Sequence, residues 1–293
     1  MYFWIFFAIF MIFNIVNLLT GFYLSKFLIR FFKAIPLFIR DIYIMDKTVF
    51  RGYGFWGFVG LGGSGKTISI VDYLILMREK YPKVKILTNF ECSVSDGKIN
   101  SWQDLLEVEN KEIVEITEKE YYKYKKWKRK KIWIEVIDNE LFFFYEKNNG
   151  VIYGFDEIHL TFESTKWEDA PDNLLDYISQ QRKLHKQIVA SSQVFTRINK
   201  KLREQTNFVI ECKSFLMGRL VVNKYYNTAE YIANDEKFDK GSRKRRTVKR
   251  EVFIAYDEIR EKYNTEEIMK ELSFSKSDTQ KLSDLIAMYK GGN

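Results

Sequence analysis

The sequence feature that most constrains the fold is the octapeptide GLGGSGKT at residues 60–67. It fits the phosphate-binding pattern G-x-x-x-x-G-K-[S/T] at every fixed position. The apolar run YGFWGFVG at residues 53–60 predicts a buried strand, and the apolar spacing after the motif predicts a helix that ends near Pro82. A strand, a glycine loop and a helix in this order form the context that the pattern needs.

Each residue type in this loop has a physical role. Glycines allow backbone N–H groups to turn inward around a phosphate, and the start of the following helix adds positive potential. We expect Lys66 to reach the β- and γ-phosphates of ATP and Thr67 to hold Mg²⁺. The predicted nucleotide-binding residues are Gly60, Gly62, Gly63, Ser64, Gly65, Lys66 and Thr67.

A nucleotide site also needs an acidic residue at the end of a second buried strand. The run VIYGF at residues 151–155 predicts such a strand, and Asp156 and Glu157 follow it directly. We expect Asp156 to bind Mg²⁺ through water and Glu157 to orient the attacking water or accept its proton. The run QIVASS predicts another strand, ending at Gln193, which either senses the γ-phosphate and places the water or is an ordinary turn residue.

The first 25 residues contain no charged side chain. As a helix they would extend about 37 Å, enough to cross a hydrocarbon core about 30 Å thick. The sequence thus predicts an uncleaved transmembrane helix over residues 1–25 and a basic juxtamembrane segment over residues 26–44. Positive charge on this flank alone predicts a single-pass protein of the host's inner (cytoplasmic) membrane, with the C-terminal bulk in the cytoplasm.

The charge balance favours polyanionic partners, because 47 basic residues exceed 39 acidic ones and give a net charge of +8. Residues 121–131 interleave Tyr and Trp with Lys and Arg. Such a segment suits single-stranded DNA, whose bases stack on aromatic rings while cations neutralise its phosphates. A solvated charged face or a lipid-facing patch would have the same composition. Cys92 and Cys212 have no neighbouring ligands at metal-binding spacing, so we expect both to be reduced.

The predicted fold is α/β: a P-loop NTPase with a mostly parallel central sheet flanked by helices, preceded by the transmembrane helix. We place the ATPase domain at residues 45–230, with an insertion at residues 91–150. A basic C-terminal appendage follows at residues 231–293. Within the insertion, residues 138–150 are interpreted as a helix capped at Asp138 and ended at Gly150.

Four segments occur in an order that is typical of a known family. They are GLGGSGKT at residues 60–67, VKILTNF at 84–90, VIYGFDEIHLTF at 151–162 and QQRKLHKQIVASSQVFTRINKKLREQTNFVIECK at 180–213. Over about residues 54–226 the chain therefore resembles the zonular-occludens-toxin-like ATPases, the assembly proteins of filamentous phages, within the FtsK–HerA branch of P-loop motors. The resemblance implies an ATP-driven, ring-forming motor that moves the phage DNA, expected to be single-stranded, together with phage coat or assembly proteins.

One feature departs from the family pattern. Well-known members place their membrane span after the ATPase, whereas here the apolar run is N-terminal. This leaves two alternatives open: a conjugation-type coupling or viral genome-packaging ATPase, and a nucleotide-gated membrane scaffold with little turnover. The presence of Glu157 at the water-activating position argues against the scaffold.

A ring motor often completes its site with an arginine from the neighbouring subunit. Arg182 is the first candidate, because it lies in the segment that best resembles the family. Arg203 and Arg197, just past Gln193, are the second and third candidates.

Overall fold

A computed structural model of the 293-residue chain describes residues 2–20, 24–100, 102–127, 131–161, 178, 180–198, 200–235 and 246–263. The chain divides into two compact units, Met1–Lys47 and Thr48–Asn293. The appendage predicted at residues 231–293 and the basic residues 128–130 lie largely outside the described residues.

The first unit contains two helices, α1 (Tyr2–Thr20) and α2 (Leu24–Ile44). The 19 residues of α1 amount to about 28 Å, against a hydrocarbon core about 30 Å thick. Charged residues recur along α2. Within the described part of the chain, no helix has both the length and the apolar character needed to cross a membrane. The predicted single-pass inner-membrane localisation is therefore wrong, and the predicted transmembrane helix is not supported.

The second unit contains the remaining elements. The described strands are β1 (Gly54–Val59), β2 (Lys85–Thr88), β3 (Gly97–Lys98), β4 (Lys111–Ile116), β5 (Ile132–Ile137), β6 (Glu140–Asn148), β7 (Val151–Phe155), β8 (Lys186–Ser192), β9 (Thr206–Phe215), β10 (Leu220–Asn227) and β11 (Lys249–Ile254). The described helices are α3 (Lys66–Lys80), α4 (Trp102–Glu107), α5 (Glu118–Trp127), α6 (Ile158–Thr161), α7 (Gln181–Leu184), α8 (Lys200–Glu204), α9 (Thr228–Asp235) and α10 (Asp257–Arg260), with a 3-10 helix at Phe195–Arg197.

The main sheet has eight strands in the order β11-β10-β9-β1-β8-β7-β2-β3. The six strands from β9 to β3 in this order run parallel, and β10 and β11 add an antiparallel edge. The prediction of a mostly parallel α/β sheet with helices is confirmed, and the arrangement fits a P-loop NTPase. Because β11 pairs with β10, the sheet continues beyond residue 230.

Both faces of the main sheet are covered by apolar packing. Every residue of β7 and β8 is buried, as expected for central parallel strands. Successive residues point to opposite faces, so Ile188 and Val189 enter different core clusters. One cluster packs on α3, and the other contains Leu202 of α8 and Tyr231 of α9. This packing fixes the carboxyl ends of the parallel strands, where the functional residues lie.

The predicted insertion at residues 91–150 contains a separate antiparallel sheet in the order β4-β6-β5. Its strands β5 and β6 form a hairpin with a two-residue turn at Asp138 and Asn139, whose φ angles are 50° and 66°. Positive φ at both central residues is the geometry of the tight hairpin turns that match strand twist. The helix predicted over residues 138–150 is therefore wrong: this segment is a turn and a strand.

Candidate nucleotide site

The phosphate loop lies between β1 and α3, as the sequence predicts. Gly63 and Gly65 have φ angles of 73° and 88°, which residues with a side chain rarely adopt. A Cβ atom added at Gly62 or Gly63 would meet nothing within 4 Å. The loop therefore presents backbone to open space beside the first turn of α3, the arrangement that a phosphate group needs.

Lys66 is the first residue of α3 and its side chain is only 6% exposed. Its ammonium group donates to the carbonyl oxygen of Leu61, with an Nζ–O distance of 3.2 Å. The same nitrogen lies 4.0 Å from Oε1 of Glu157. The lysine is thus folded back over its own loop, with its charge next to the predicted catalytic carboxylate.

Thr67 and Asp156 meet across 89 residues of sequence: Oγ1 of Thr67 donates to Oδ2 of Asp156 at 2.9 Å. The hydroxyl of Ser191 on β8 donates to the other carboxylate oxygen. The structure therefore brings together the two residues that the sequence predicts as metal ligands, on a frame formed by α3, β7 and β8.

Asn89 and Ser191 hold the acidic pair in place. Asn89 Oδ1 accepts from the backbone N–H of Asp156 at 2.7 Å, and its Nδ2 donates to the carbonyl of Asp156 at 3.0 Å. Ser191 Oγ accepts from the backbone N–H of Glu157 at 2.8 Å. The sequence marked Asn89 only by family resemblance and missed Ser191. A hydroxyl at the end of an otherwise apolar strand was the available signal.

Glu157 adopts a left-handed backbone conformation, with φ of 47°. This conformation is rare for a residue with a long side chain and occurs most often at functional sites. Its Oε2 lies 3.2 Å from Nδ1 of His159, and among the described residues neither of these buried atoms has an aligned hydrogen-bond partner. No local pattern in the sequence marks His159, which the structure places beside the carboxylate.

Gln193 follows β8, the strand that lies between the phosphate-loop strand β1 and the acidic strand β7. Its exposed Oε1 accepts a hydrogen bond from Nη1 of Arg197 at 3.1 Å. Gln193 also lines a cavity of about 380 Å³, together with Gly60, Ser64 and Glu211. The structure therefore places Gln193 and Arg197 beside the phosphate loop, at the same sheet edge as the acidic pair.

Two of the candidate arginines lie at the other sheet edge. Arg182 on α7 precedes β8, and its guanidinium carbon lies 5.5 Å from the centre of the Tyr53 ring, before β1. Arg203 on α8 precedes β9. Six residues of β1, about 20 Å, separate that edge from the phosphate loop. Within one subunit, only Arg197 of the three lies near the site.

The residues present fit ATP and Mg²⁺. A hydroxyl and a carboxylate, the hard oxygen ligands that Mg²⁺ prefers, converge at Thr67 and Asp156. Among the described residues, Ser64 Oγ and Glu157 Oε2 are buried without hydrogen-bond partners, and the first belongs to the loop that would surround a phosphate. Both atoms are therefore available to a bound group.

In the structure, two aromatic rings of the predicted DNA-binding segment pack against the small sheet. The ring of Tyr121, on α5, is 7% exposed and packs 5.0 Å from that of Phe143, while Tyr124 packs 5.8 Å from Tyr145. These two rings hold α5 on the small sheet. Tyr122 remains 56% exposed. Base stacking by alternate aromatics along this segment is therefore unsupported.

Comparisons with known proteins identify the family. A family model described as zonular occludens toxin (Zot) matches residues 58–262. No curated protein matches the chain.

Several solved structures resemble this chain at low identity. The N-terminal domain of zonular occludens toxin from Neisseria meningitidis has 13% identity and a TM-score of 0.39, over 72% of this chain and 99% of that chain. The genome packaging NTPase B204 from Sulfolobus turreted icosahedral virus 2, in complex with AMP, has 12% identity and a TM-score of 0.33, over 56% and 77%. The cytoplasmic domain of the Thermomonospora curvata type VII secretion ATPase EccC has 10% identity and a TM-score of 0.35, over 61% and 23%.

The family model covers well over half of the 293 residues, and it includes the phosphate-loop lysine, the acidic pair and Gln193. The chain belongs to the zonular occludens toxin (Zot) family.

Proposed function

We propose that this chain is a Mg²⁺-dependent ATP hydrolase that moves DNA during filamentous phage assembly. ATP hydrolysis is supported by one observation above all: four side chains converge at one sheet edge, those of Lys66, Thr67, Asp156 and Glu157. Each has the side-chain chemistry that phosphoryl transfer to water requires, and the fold rather than the sequence brings them together.

Three side chains would bind the nucleotide and its metal ion. The Lys66 ammonium, now held by the Leu61 carbonyl, would turn to the β- and γ-phosphate oxygens. The Thr67 hydroxyl and the Asp156 carboxylate would hold Mg²⁺, which neutralises phosphate charge when bound. Asn89 and Ser191 keep the Asp156 carboxylate oriented while the Thr67 hydroxyl exchanges its hydrogen bond for the metal.

Glu157 is the proposed general base. Its side chain lies next to Lys66, and its backbone is fixed by Ser191, so its carboxylate can face the γ-phosphate. It would accept a proton from the attacking water. Gln193 would orient that water from the neighbouring strand end.

The DNA-moving role is supported by membership of the Zot family and by the net charge of +8, which favours a polyanionic partner. We infer that the subunits form a ring, that the DNA is single-stranded phage genome, and that coat or assembly proteins act with the motor. The ATPase domain would begin near residue 45 and contain the insertion at residues 91–150. Since β11 completes its sheet, the domain would extend through residue 254, into the basic appendage predicted at residues 231–293.

The direct test is steady-state ATP hydrolysis by the full chain, with and without single-stranded DNA. We expect hydrolysis that requires Mg²⁺ and rises on addition of single-stranded DNA more than on addition of duplex DNA. Lys66→Ala should abolish nucleotide binding, because the lysine supplies charge and little packing. Normal nucleotide affinity in Lys66→Ala would contradict the site.

Two other outcomes would redirect the proposal. Tight ATP binding with negligible turnover in every DNA condition would favour the nucleotide-gated scaffold. Stimulation by duplex DNA alone would favour a genome-packaging role.

A further inference from the structure

A second pocket lies on the α3 face of the main sheet, between α3 and strands β1, β9, β10 and β11. Its volume is about 300 Å³. The phosphate-loop residues do not line it. Its walls combine aromatic rings with carboxylates, a combination that recognises organic cations. The residues that carry the argument are Trp56, Asp72, Tyr73, Tyr225, Lys249 and Glu251.

The aromatic wall is built around Trp56. Its ring centre lies 5.2 Å from that of Tyr73, 5.6 Å from that of Phe208 and 6.2 Å from that of Tyr225. The faces of tryptophan and tyrosine rings attract cations within about 6 Å of the ring centre. The Tyr73 hydroxyl donates to Gln187 at 2.7 Å, so its ring is fixed.

One ammonium group of the chain already contacts this aromatic wall. Nζ of Lys249 lies 5.4 Å from the centre of the Tyr225 ring and forms an ion pair with Glu251. The Tyr225 hydroxyl donates to the other oxygen of Glu251. One carboxylate of the pocket is therefore already matched by a cation of the chain.

Asp72 is the second carboxylate of the pocket. It is partly buried on α3, and among the described residues no basic side chain forms an ion pair with it. The charged groups that face it are Glu251 from β11 and Glu79 from its own helix, both acidic. With Lys249 counted, the pocket still carries one more negative charge than positive.

We propose that this pocket binds an alkylammonium group, with Asp72 as its counter-ion and the rings of Trp56, Tyr73 and Tyr225 around its methylene stem. The group could be one end of a free diamine or the side chain of a lysine from a second copy of this chain. The site is separate from the nucleotide site and does not depend on the proposed ATPase. A bound cation would sit against α3, whose first residue is Lys66.

The first experiment is a calorimetric titration of the full chain with 1,4-diaminobutane at constant ionic strength. 1,4-Butanediol, which has the same stem without charge, is the control ligand. We expect the diamine to bind and the diol not to bind. Asp72→Asn should weaken the diamine by about tenfold or more, since it removes the charged acceptor and keeps the shape. Glu115→Gln, which removes an exposed carboxylate on strand β4 of the small sheet, should leave affinity unchanged.

Lys249→Met is a second variant, which is expected to raise the affinity for the diamine. It removes the ammonium that competes for Glu251, so diamine affinity should rise severalfold. Lys249 is exposed, and its loss should not impair folding.

Sedimentation of the parent, Asp72→Asn and Glu115→Gln chains distinguishes the two sources of the ammonium group. Self-association that is lost only in Asp72→Asn, without diamine binding, would identify a lysine of a second copy. The proposal is overturned if the diamine does not bind and the chain shows no association that depends on Asp72.

Discussion

Asn89 is the residue on which the geometry of the acidic pair depends most directly. Its side chain bonds the backbone N–H and the carbonyl of Asp156, and within the described part of the chain it makes no hydrogen bond to Thr67 or Lys66. It is therefore a positioning residue. Its effect should be seen in how well the site holds Mg²⁺ and less in nucleotide affinity alone.

Asn89→Ala should lower the maximal ATPase rate about 10- to 100-fold, the usual cost of losing a partner that orients a metal ligand. The Mg²⁺ concentration that gives half-maximal rate should rise in the same variant. Asn110→Ala is the matched control, because the Asn110 side chain also makes two hydrogen bonds to the backbone, and both lie away from the site, on the carbonyls of Lys83 and Gly150. An unchanged Mg²⁺ dependence in Asn89→Ala would rule out the positioning role.

Asp72 allows a prediction about pH and stability. Burial, with Glu251 and Glu79 nearby, raises the pKa of Asp72 from 3.8 to about 6. The folded chain thus holds this proton more tightly than the unfolded chain, so the free energy of unfolding falls as pH rises from about 4 to 6. Asp72→Asn should be more stable than the parent at pH 7, and this difference should vanish below about pH 4.

Urea denaturation at pH 4 and pH 7 measures this difference. Glu115→Gln, exposed on β4 and away from Asp72, should show little change between the two pH values. A stabilisation of Asp72→Asn that is equal at both pH values would contradict the account.

At the scale of elements, the strands with strong local signals were predictable. The phosphate loop places β1 and α3 on either side of itself, and VIYGF and QIVASS are apolar enough to predict central strands. The hairpin at residues 132–148 was not predictable from periodicity, because FFFY fits a helix and a buried strand equally. The contacts that decide the case are cross-strand pairs with β4, distant in sequence.

Helix α5 provides a prediction at this scale. Tyr121→Ala should lower the free energy of unfolding by about 3 kcal/mol, because it removes a buried ring that packs on Phe143. Tyr122→Ala, at the neighbouring exposed position, should change it by less than about 0.5 kcal/mol. Urea denaturation monitored by circular dichroism compares the two. Equal effects would mean that α5 does not pack on the small sheet as described.

For the whole molecule, the sequence predicted the fold class and the acidic pair, since both follow from local patterns. It ranked Arg182 first among the candidate arginines but could not place the three in space, because residues close to Gln193 in sequence lie at opposite ends of the strands. Arg182 lies before β8, seven residues of strand away from the carboxyl edge, so it is too far from the site of its own subunit to act there. Arg197 bonds Gln193 beside that site, so it is our candidate for an arginine that acts within its own subunit. Arg182 stays the predicted arginine for a neighbouring subunit's site.

Mixing experiments test this assignment. Arg182→Ala and Glu157→Gln chains should each be inactive alone, with Arg182→Ala losing about 10³-fold in rate. Mixed rings should regain part of the activity, because an intact Glu157 then meets an intact Arg182 of its neighbour. Arg197→Ala in place of Arg182→Ala is the matched control and should show no rescue, because no subunit of that mixture contains both Arg197 and Glu157. Rescue with Arg197→Ala alone would assign the neighbour's arginine to Arg197.

The measurement that tests the central claim most directly is ATP binding and hydrolysis by Glu157→Gln, side by side with the parent chain. The substitution keeps the shape of the side chain and removes its basicity. We predict unchanged ATP affinity within about threefold and a turnover lowered by at least about 10²-fold. Turnover within a few-fold of the parent would contradict the assignment of Glu157 as the general base, and with it the catalytic site described at this sheet edge.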